Sequence, residues 1–294
     1  IADFFWKITT VTLAAQCGVA PLSLYYFHQF PGLFFVSNLV IIPVLGIILG
    51  LGILVIVLAL LHGLPSWLGV AYGFIIRQMN HLVQWVAARE AFVFRDISFD
   101  GALLLMVYSV LVSGIRMLKK PGFYRVALFL TAVLALQATL LVNRYTTATT
   151  RRFIVFHKNG DTVIGQQEGA AMTLYASGEK WLDDALIKNY TTAERVRQIR
   201  KNELRNVYTV GEKTLLRIDS LGIYRVPRMP SAFVLLCNAP RINLDRLIAE
   251  INPAIIIADG SNSKSYIQRW RASCKAKNIP FHATAGEGAF IIED

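Results

Sequence analysis

Between Lys7 and Arg77 the chain has no Asp, Glu, Lys or Arg. A soluble domain has no use for so long an uncharged run, because its outer surface is normally charged, whereas a bilayer imposes one. Within it, FHQFPGLFFVSNLVIIPVLGIILGLGILVIVLALL, residues 27–61, interrupts its aliphatic side chains with His28, Gln29, Asn38, Pro43 and Gly46. Polar groups and helix breakers have no place in a plain anchor. Their presence points to helices that pack on one another or line a wet path.

Composition divides the chain in two. Residues 1–150 hold nine Lys or Arg and four Asp or Glu, while residues 151–294 hold 21 and 15. The mean hydropathy of +0.47 therefore averages a membrane-like half with a half of ordinary globular charge density. The first residue is Ile, and no basic, cleavable leader precedes the first apolar segment, so the chain reads as the C-terminal piece of a longer protein.

Four apolar spans are predicted, near 5–27, 33–61, 102–118 and 126–142. The second exceeds the roughly 20 residues that a bilayer requires. Pro43 with Gly46, Gly50 and Gly52 is expected to break it. Between the second and third spans, around 67–92, Arg77, Asn80, His81 and Gln84 share one helical face, and Ile75, Met79, Leu82 and Val86 share another. That pattern predicts an amphipathic helix at the membrane interface or along a wet cavity, with Trp67 and Trp85 at headgroup depth. The loop carrying Arg116, Lys119, Lys120 and Arg125 contains no acid and is expected on the cytoplasmic side, which puts the soluble half outside the inner membrane.

From residue 151 onward the pattern changes to short strands and helices in no strict alternation, an α+β or layered α/β class. Asn159–Gly160 between two apolar runs predicts a hairpin, because both turn positions accept positive φ. MTLYA, VYTV, TLLRI, IYRV, AFVLLC, AIIIAD, IPFHAT and GAFIIE read as strands. Helices are expected over the polar region 179–206, near 244–251 and near 263–277.

Gln16, His28, Asn38 and Gln137 lie in apolar spans, where an isolated polar group is costly. Each can be read as an interhelical hydrogen bond. As a set beside a broken helix they read as a pathway, with Pro43 in the break and Arg77, His81 and Arg116 at its mouths. Gly46 and Gly50 fit small-residue helix packing. No zinc-finger, P-loop, nucleophile-elbow or dinucleotide pattern occurs. Only His157 and His282 of the five histidines lie in the second half. A hydrolase would need an unfamiliar ligand set such as His157, Asp161, Asp259 and His282. ADGSNSKS, 258–265, reads as a capped turn or an anion loop, and ERVRQIRKNELR, 194–205, as a solvated helix face or a phosphate-binding one. Cys237 and Cys274 allow a disulfide in an oxidising compartment or two reduced, buried thiols.

Trp6, Ala14–Ala15–Gln16, Pro21–Leu22, Phe27–His28–Gln29–Phe30, Ser37–Asn38–Leu39 and Ile42–Pro43 resemble the competence domain of the ComEC family over roughly residues 1–142. These are polytopic inner-membrane proteins that carry single-stranded DNA into the cytoplasm during transformation. The tail resembles the metallo-β-lactamase-like domain that ends many members. FIVFHKNGDTVI stands at its strand–turn–strand, and VLLCNAPRINLDRLIAEINPAIIIADGSN at its later loop, helix and strand. The ligand histidines of that fold are absent from 179–206, Cys237–Asn238–Ala239 stands at another ligand position, and Lys264 and Ser265 stand near a third.

The resemblance implies a polytopic α-helical membrane domain over 1–145, followed by a soluble, layered αββα domain over 151–294 that keeps the fold without the metal chemistry. It implies a DNA channel component with a catalytically inactive accessory domain, no cofactor and no metal. Single-stranded DNA, membrane lipids and the other parts of an uptake machine would be its partners, with association of like subunits open. Transport of some other solute is the remaining alternative.

Overall fold

The structure, a computed structural model, describes residues 2–32, 34–88, 93–177, 180–182, 184–211, 213–224 and 232–293. Two compact units divide the chain, Ile1–Leu140 and Leu141–Asp294.

The first unit is helical: α1 (Ala2–Phe27), α2 (Phe34–Leu60), α3 (Ser66–Ala87), α4 (Gly101–Lys119) and the greater part of α5 (Phe123–Thr149). Helix α1 packs on α2 and α4, and α2 packs on α3. A two-residue ribbon, β1 (Phe30–Pro31) against β2 (Val93–Phe94), ties the end of α1 to the segment before α4. Asp100 opens α4 by accepting from the Leu103 amide at 2.8 Å, which satisfies one of the free N–H groups of the first turn.

Among the described residues, α4 and α5 are long and apolar enough to cross a membrane. At 27 residues α5 is about 40 Å long, well beyond its predicted span and beyond a hydrocarbon core of about 30 Å.

The predicted break in α2 does not occur: the helix continues through position 43 as one element of 27 residues. A proline removes only one donor, and in apolar surroundings every remaining backbone bond is worth keeping, because an unpaired group costs several kcal/mol. The glycines also divide differently from expectation. A Cβ on Gly46 or Gly50 would meet nothing within 4 Å, whereas one on Gly52 would lie 2.6 Å from the Tyr72 hydroxyl. Gly52, not the small-residue pair, therefore admits the close approach of α3 to α2.

The second unit is two five-stranded sheets face to face. One runs β12–β3–β4–β5–β6 and the other β11–β10–β9–β8–β7. Their strands are β3 (Arg151–Phe156), β4 (Val163–Glu168), β5 (Ala171–Ala176), β6 (Gln198–Asn202), β7 (Val207–Val210), β8 (Lys213–Ile218), β9 (Phe233–Leu236), β10 (Ile255–Ala258), β11 (Phe281–Ala283) and β12 (Phe290–Glu293). Alternation along each strand builds the layers. Phe153, Tyr175, Leu215, Leu235, Ile257 and Ile292 fill the space between the sheets. Ile256, Leu236 and Val234 face the other way, onto α7 (Leu244–Ile251) and α8 (Lys264–Ala276) through Leu247, Ile251 and Trp270. Ile154 and Leu174 face α6 (Ala185–Ala193) through Ile187. The result is a four-layer α/β/β/α arrangement, with a single turn, α9 (Thr284–Glu287), after β11.

Not every local expectation holds. The polar region 179–206 is not one helix: Asp184 caps α6, Arg195 turns the chain at φ +57°, and β6 then joins the sheet parallel to β5. A segment that is polar on all sides has no stripe to bury as a helix, so the open edge beside β5 takes it. The predicted hairpin does form, β3 against β4, with a loop longer than the Asn159–Gly160 pair. Its strands end at Phe156 and resume at Val163, with Gly160 at φ +80°. Of the predicted strand IYRV, Ile223 and Tyr224 are not in a strand, and 225 and 226 lie outside the described residues.

Candidate functional site

In the helical unit, α4 carries Ser109, Ser113 and Arg116 at i, i+4 and i+7 on one face, beside Tyr108. With Leu104, Leu105 and Val112, and with Leu128 and Ala132 of α5, these residues line an open groove of about 620 Å³. Ser109 donates to the Leu105 carbonyl at 2.8 Å and Ser113 to the Ser109 carbonyl at 2.6 Å, so both hydroxyls are satisfied by their own helix. Tyr108 donates to the Gly18 carbonyl at 2.6 Å, which locks α4 onto α1. Arg116, exposed in the last turn, gives the groove a basic end, with Lys119 and Lys120 following it. On α1, Thr12 is buried and its hydroxyl has no hydrogen-bond partner among the described residues.

The predicted pathway residues are dispersed. Gln16 is half-buried on α1. His28 is not within a span: it sits just past α1 at φ +53°. Its Nδ1 is 3.2 Å from the Ile97 carbonyl, and the Ile97 amide donates back to the His28 carbonyl at 2.9 Å. It acts as a clip beside the β1–β2 ribbon. Arg77 and His81 are exposed one turn apart on α3, opposite the stripe of Tyr72, Ile75, Met79 and Leu82 that is half-buried in the helical unit. The side chains of Asn38 and Pro43 lie outside the described residues. Of the set's described side chains, only Arg116 lines the groove. Ser109 and Ser113 were missed by the sequence reading, although their spacing to Arg116 is the same signal that marked the face of α3.

In the second unit, four chain segments converge at one end of the two sheets: the β3–β4 loop, the β9–α7 loop, the β10–α8 loop and the β11–α9 junction. Asp259 lies at their centre and is wholly buried. It accepts from the Thr162 hydroxyl at 2.5 Å, the Ser261 hydroxyl at 2.5 Å, the Ser261 amide at 3.1 Å and the Asn262 amide group at 2.9 Å. Burial pushes the carboxyl above its ordinary range, and these donors oppose the shift.

The same two side chains hold the facing loop. The Asn238 amide donates to Ser261 Oγ at 2.7 Å and the Ala239 amide to Asn262 Oδ1 at 2.8 Å. These contacts keep Asn238 and Ala239 in left-handed backbone at φ +55° and +47°, which costs a non-glycine residue such as Ala239 about 1 kcal/mol. Gly260 has no room for a side chain, since a Cβ would lie 2.3 Å from the Lys158 carbonyl. The widened hairpin loop exists because Thr162 is drawn to Asp259, and because the Gly160 amide donates to the Gly260 carbonyl.

This centre does not suit a metal. Asp259 accepts from the Thr162 and Ser261 hydroxyls and the Asn262 side-chain amide, and a cation would have to displace these donors. The alternative ligand set is not brought together. His157 Nδ1 faces Thr284 Oγ1 at 3.0 Å, Asp161 pairs with Lys180 at 3.0 Å, and His282 lies against the Gly288 carbonyl and Glu287. Among the described residues no three His, Cys, Asp or Glu groups cluster. Cys237 and Cys274 are free and buried, the first between the sheets and the second on the inward face of α8. Burial pushes the Cys237 thiol well up and the Cys274 thiol to about 11.

No curated protein and no solved structure matches the chain. Two families do: the one described as Competence protein, over residues 2–121, and the one described as ComEC C-terminal domain, over residues 153–294. With membrane-length α4 in the first stretch, α5 just after it and a layered α/β unit in the second, the chain belongs to the ComEC family of competence proteins.

Proposed function

We propose that the chain is part of an inner-membrane channel that passes single-stranded DNA into the cytoplasm during natural transformation. Its layered second unit would be an accessory domain on the periplasmic face that does not hydrolyse DNA. Membership of a family implicated in DNA uptake gives the class of function. The observation that supports passage through this unit is the α4 stripe: Arg116 at the end of a groove on a membrane-length helix, with Ser109 and Ser113 along it whose hydroxyls would turn from their own helix's carbonyls to meet a phosphate. A polyanion crossing an apolar layer needs such a seam of hydrogen-bonding groups with a cation at its mouth. Gln16, His28, Asn38, Arg77 and His81 belong to this reading as further contacts, with lipids, the rest of the uptake machine and like subunits as partners.

In the second unit Asp259 supports an inactive domain, because it already accepts from Thr162, Ser261 and Asn262 and would have to give up those bonds to bind or activate water. The test is transformation by cells carrying the full-length gene with Gln16→Leu and Asn38→Leu, and separately Ser109→Leu and Ser113→Leu, at matched membrane expression. Labelled DNA that reaches the periplasm but no longer enters the cytoplasm is the expected result. Unchanged transformation in both variants would return these residues to ordinary packing.

A further inference from the structure

Helix α8 has an unusual charge distribution. From Lys264 to Lys277 it carries Lys264, Arg269, Arg271, Lys275 and Lys277 and no acid. All five cations are exposed, while Ile267, Trp270 and Cys274 on the opposite face are buried in the core. Arg271 is paired with Glu287 at 2.8 Å and lies over the Phe281 ring. Lys264, Arg269, Lys275 and Lys277 have no ion pair or side-chain hydrogen bond among the described residues; on the neighbouring helix α7, Glu250 pairs with Arg246 and Asp245 is close enough to act on Cys274. From Lys264 to Lys275 the row is about 16 Å long at 1.5 Å per residue.

Like charges held this close repel one another and lower stability, so an uncompensated row suits a partner that brings the opposite charge. Three comparisons identify that partner. The basic stretch around β6 also exposes Arg197 and Arg200, but Glu194 and Glu203 interleave there, and Glu194 already pairs with Arg152 at 2.7 Å. A membrane-surface helix would show aromatic or aliphatic side chains beside its cations. On α8 the exposed residues between the cations are Ser265, Gln268, Ala272 and Ala276, and its apolar side is spent on the core. Small and hydrogen-bonding residues between evenly spread cations fit a backbone of phosphates and sugars, bound without regard to base.

We infer that the outer face of α8 binds the phosphate backbone of a nucleic-acid strand, through Lys264, Arg269, Lys275 and Lys277. The inference rests on the DNA reading above and deepens it by giving the accessory domain a holding role in place of a cleaving one. The strand would sit on a rigid helix, so binding needs no reordering of the protein.

The test uses the full chain in nanodiscs of zwitterionic lipid and a fluorescent single-stranded oligonucleotide, with affinity measured against salt. Single-strand binding loses about 0.7 in its log–log salt slope for each phosphate contact removed. Lys264→Gln, Arg269→Gln and Lys275→Gln together should flatten the slope by about 2 and weaken binding about 100-fold near 0.1 M salt. Arg269→Lys, which keeps the charge, should be nearly neutral. The exposed positions leave folding intact, and circular dichroism checks it.

Unchanged affinity and slope in the triple variant would overturn the inference, as would a loss confined to Arg197→Gln with Arg200→Gln. So would loss of binding to phosphatidylglycerol vesicles while oligonucleotide binding persists. A wild-type chain that binds no oligonucleotide also overturns it, whereas the channel reading stands or falls on cytoplasmic uptake in the transformation assay.

Discussion

The Thr162 hydroxyl donates to the Asp259 carboxylate at 2.5 Å across 97 positions of sequence. That one bond joins the β3–β4 loop to the β10–α8 loop, and so couples the end of one sheet to the end of the other. Asp259→Ala would leave the Thr162, Ser261 and Asn262 donors without their acceptor in a buried site. The expected loss is about 2–4 kcal/mol in chemical denaturation, and clearly less for Asp259→Asn, which keeps one accepting oxygen. A cost typical of a surface substitution would show that the cluster does not hold the loops.

Two carboxyls give opposite pH dependences. The Lys158 ammonium, 2.6 Å away, holds Asp184 below the usual carboxylate range. Its contribution is fully present above the unfolded-state pKa and is lost as pH falls through the lowered folded value. Asp259 is pushed up, so its protonation favours the folded state as pH falls through its raised folded value toward the unfolded one, a window above that of Asp184. Asp184→Asn should therefore flatten the acid limb of stability, and Asp259→Asn should steepen it. Thermal melts between about pH 3 and 7 read both slopes.

Gly260→Ala should be among the most damaging small substitutions in the second unit. The added Cβ would press on the Lys158 carbonyl and on the His157 ring, at 2.3 and 2.9 Å. Backbone cannot move aside as a side-chain tip can, so a loss of about 1–3 kcal/mol is expected. The same change at Gly286, where nothing lies within 4 Å, is the control, and urea midpoints compare the two.

Both thiols of the second unit should resist alkylation near pH 8 in the folded protein and react fully in denaturant. Each is buried and each is pushed above its ordinary pKa by burial, so little thiolate forms and none is reachable. Mobility on a non-reducing gel should not change with reductant. A shift on reduction would show a bond that the separate placement of Cys237 and Cys274 forbids.

Much of the architecture could be read from local pattern. The uncharged stretch before Arg77, the apolar lengths of α4 and α5 and the alternation in β10 each set an element type, because burial of a stripe or a face needs only neighbours in sequence. The amphipathic division of α3 is of the same kind, as is the spacing that puts Ser109, Ser113 and Arg116 on one face of α4. Tertiary structure decided whatever depended on a distant partner. Whether 198–202 became helix or strand turned on the free edge of β5. The loop at Asn159–Gly160 widened because Asp259 captures Thr162, and His28 sits just past α1 because Ile97 clips its backbone and its ring. The Asp259 centre itself could not be seen in a linear pattern. Its donors come from positions 162, 261 and 262 and its covering loop from 237 to 239, and only the packing of two sheets brings them within hydrogen-bonding distance.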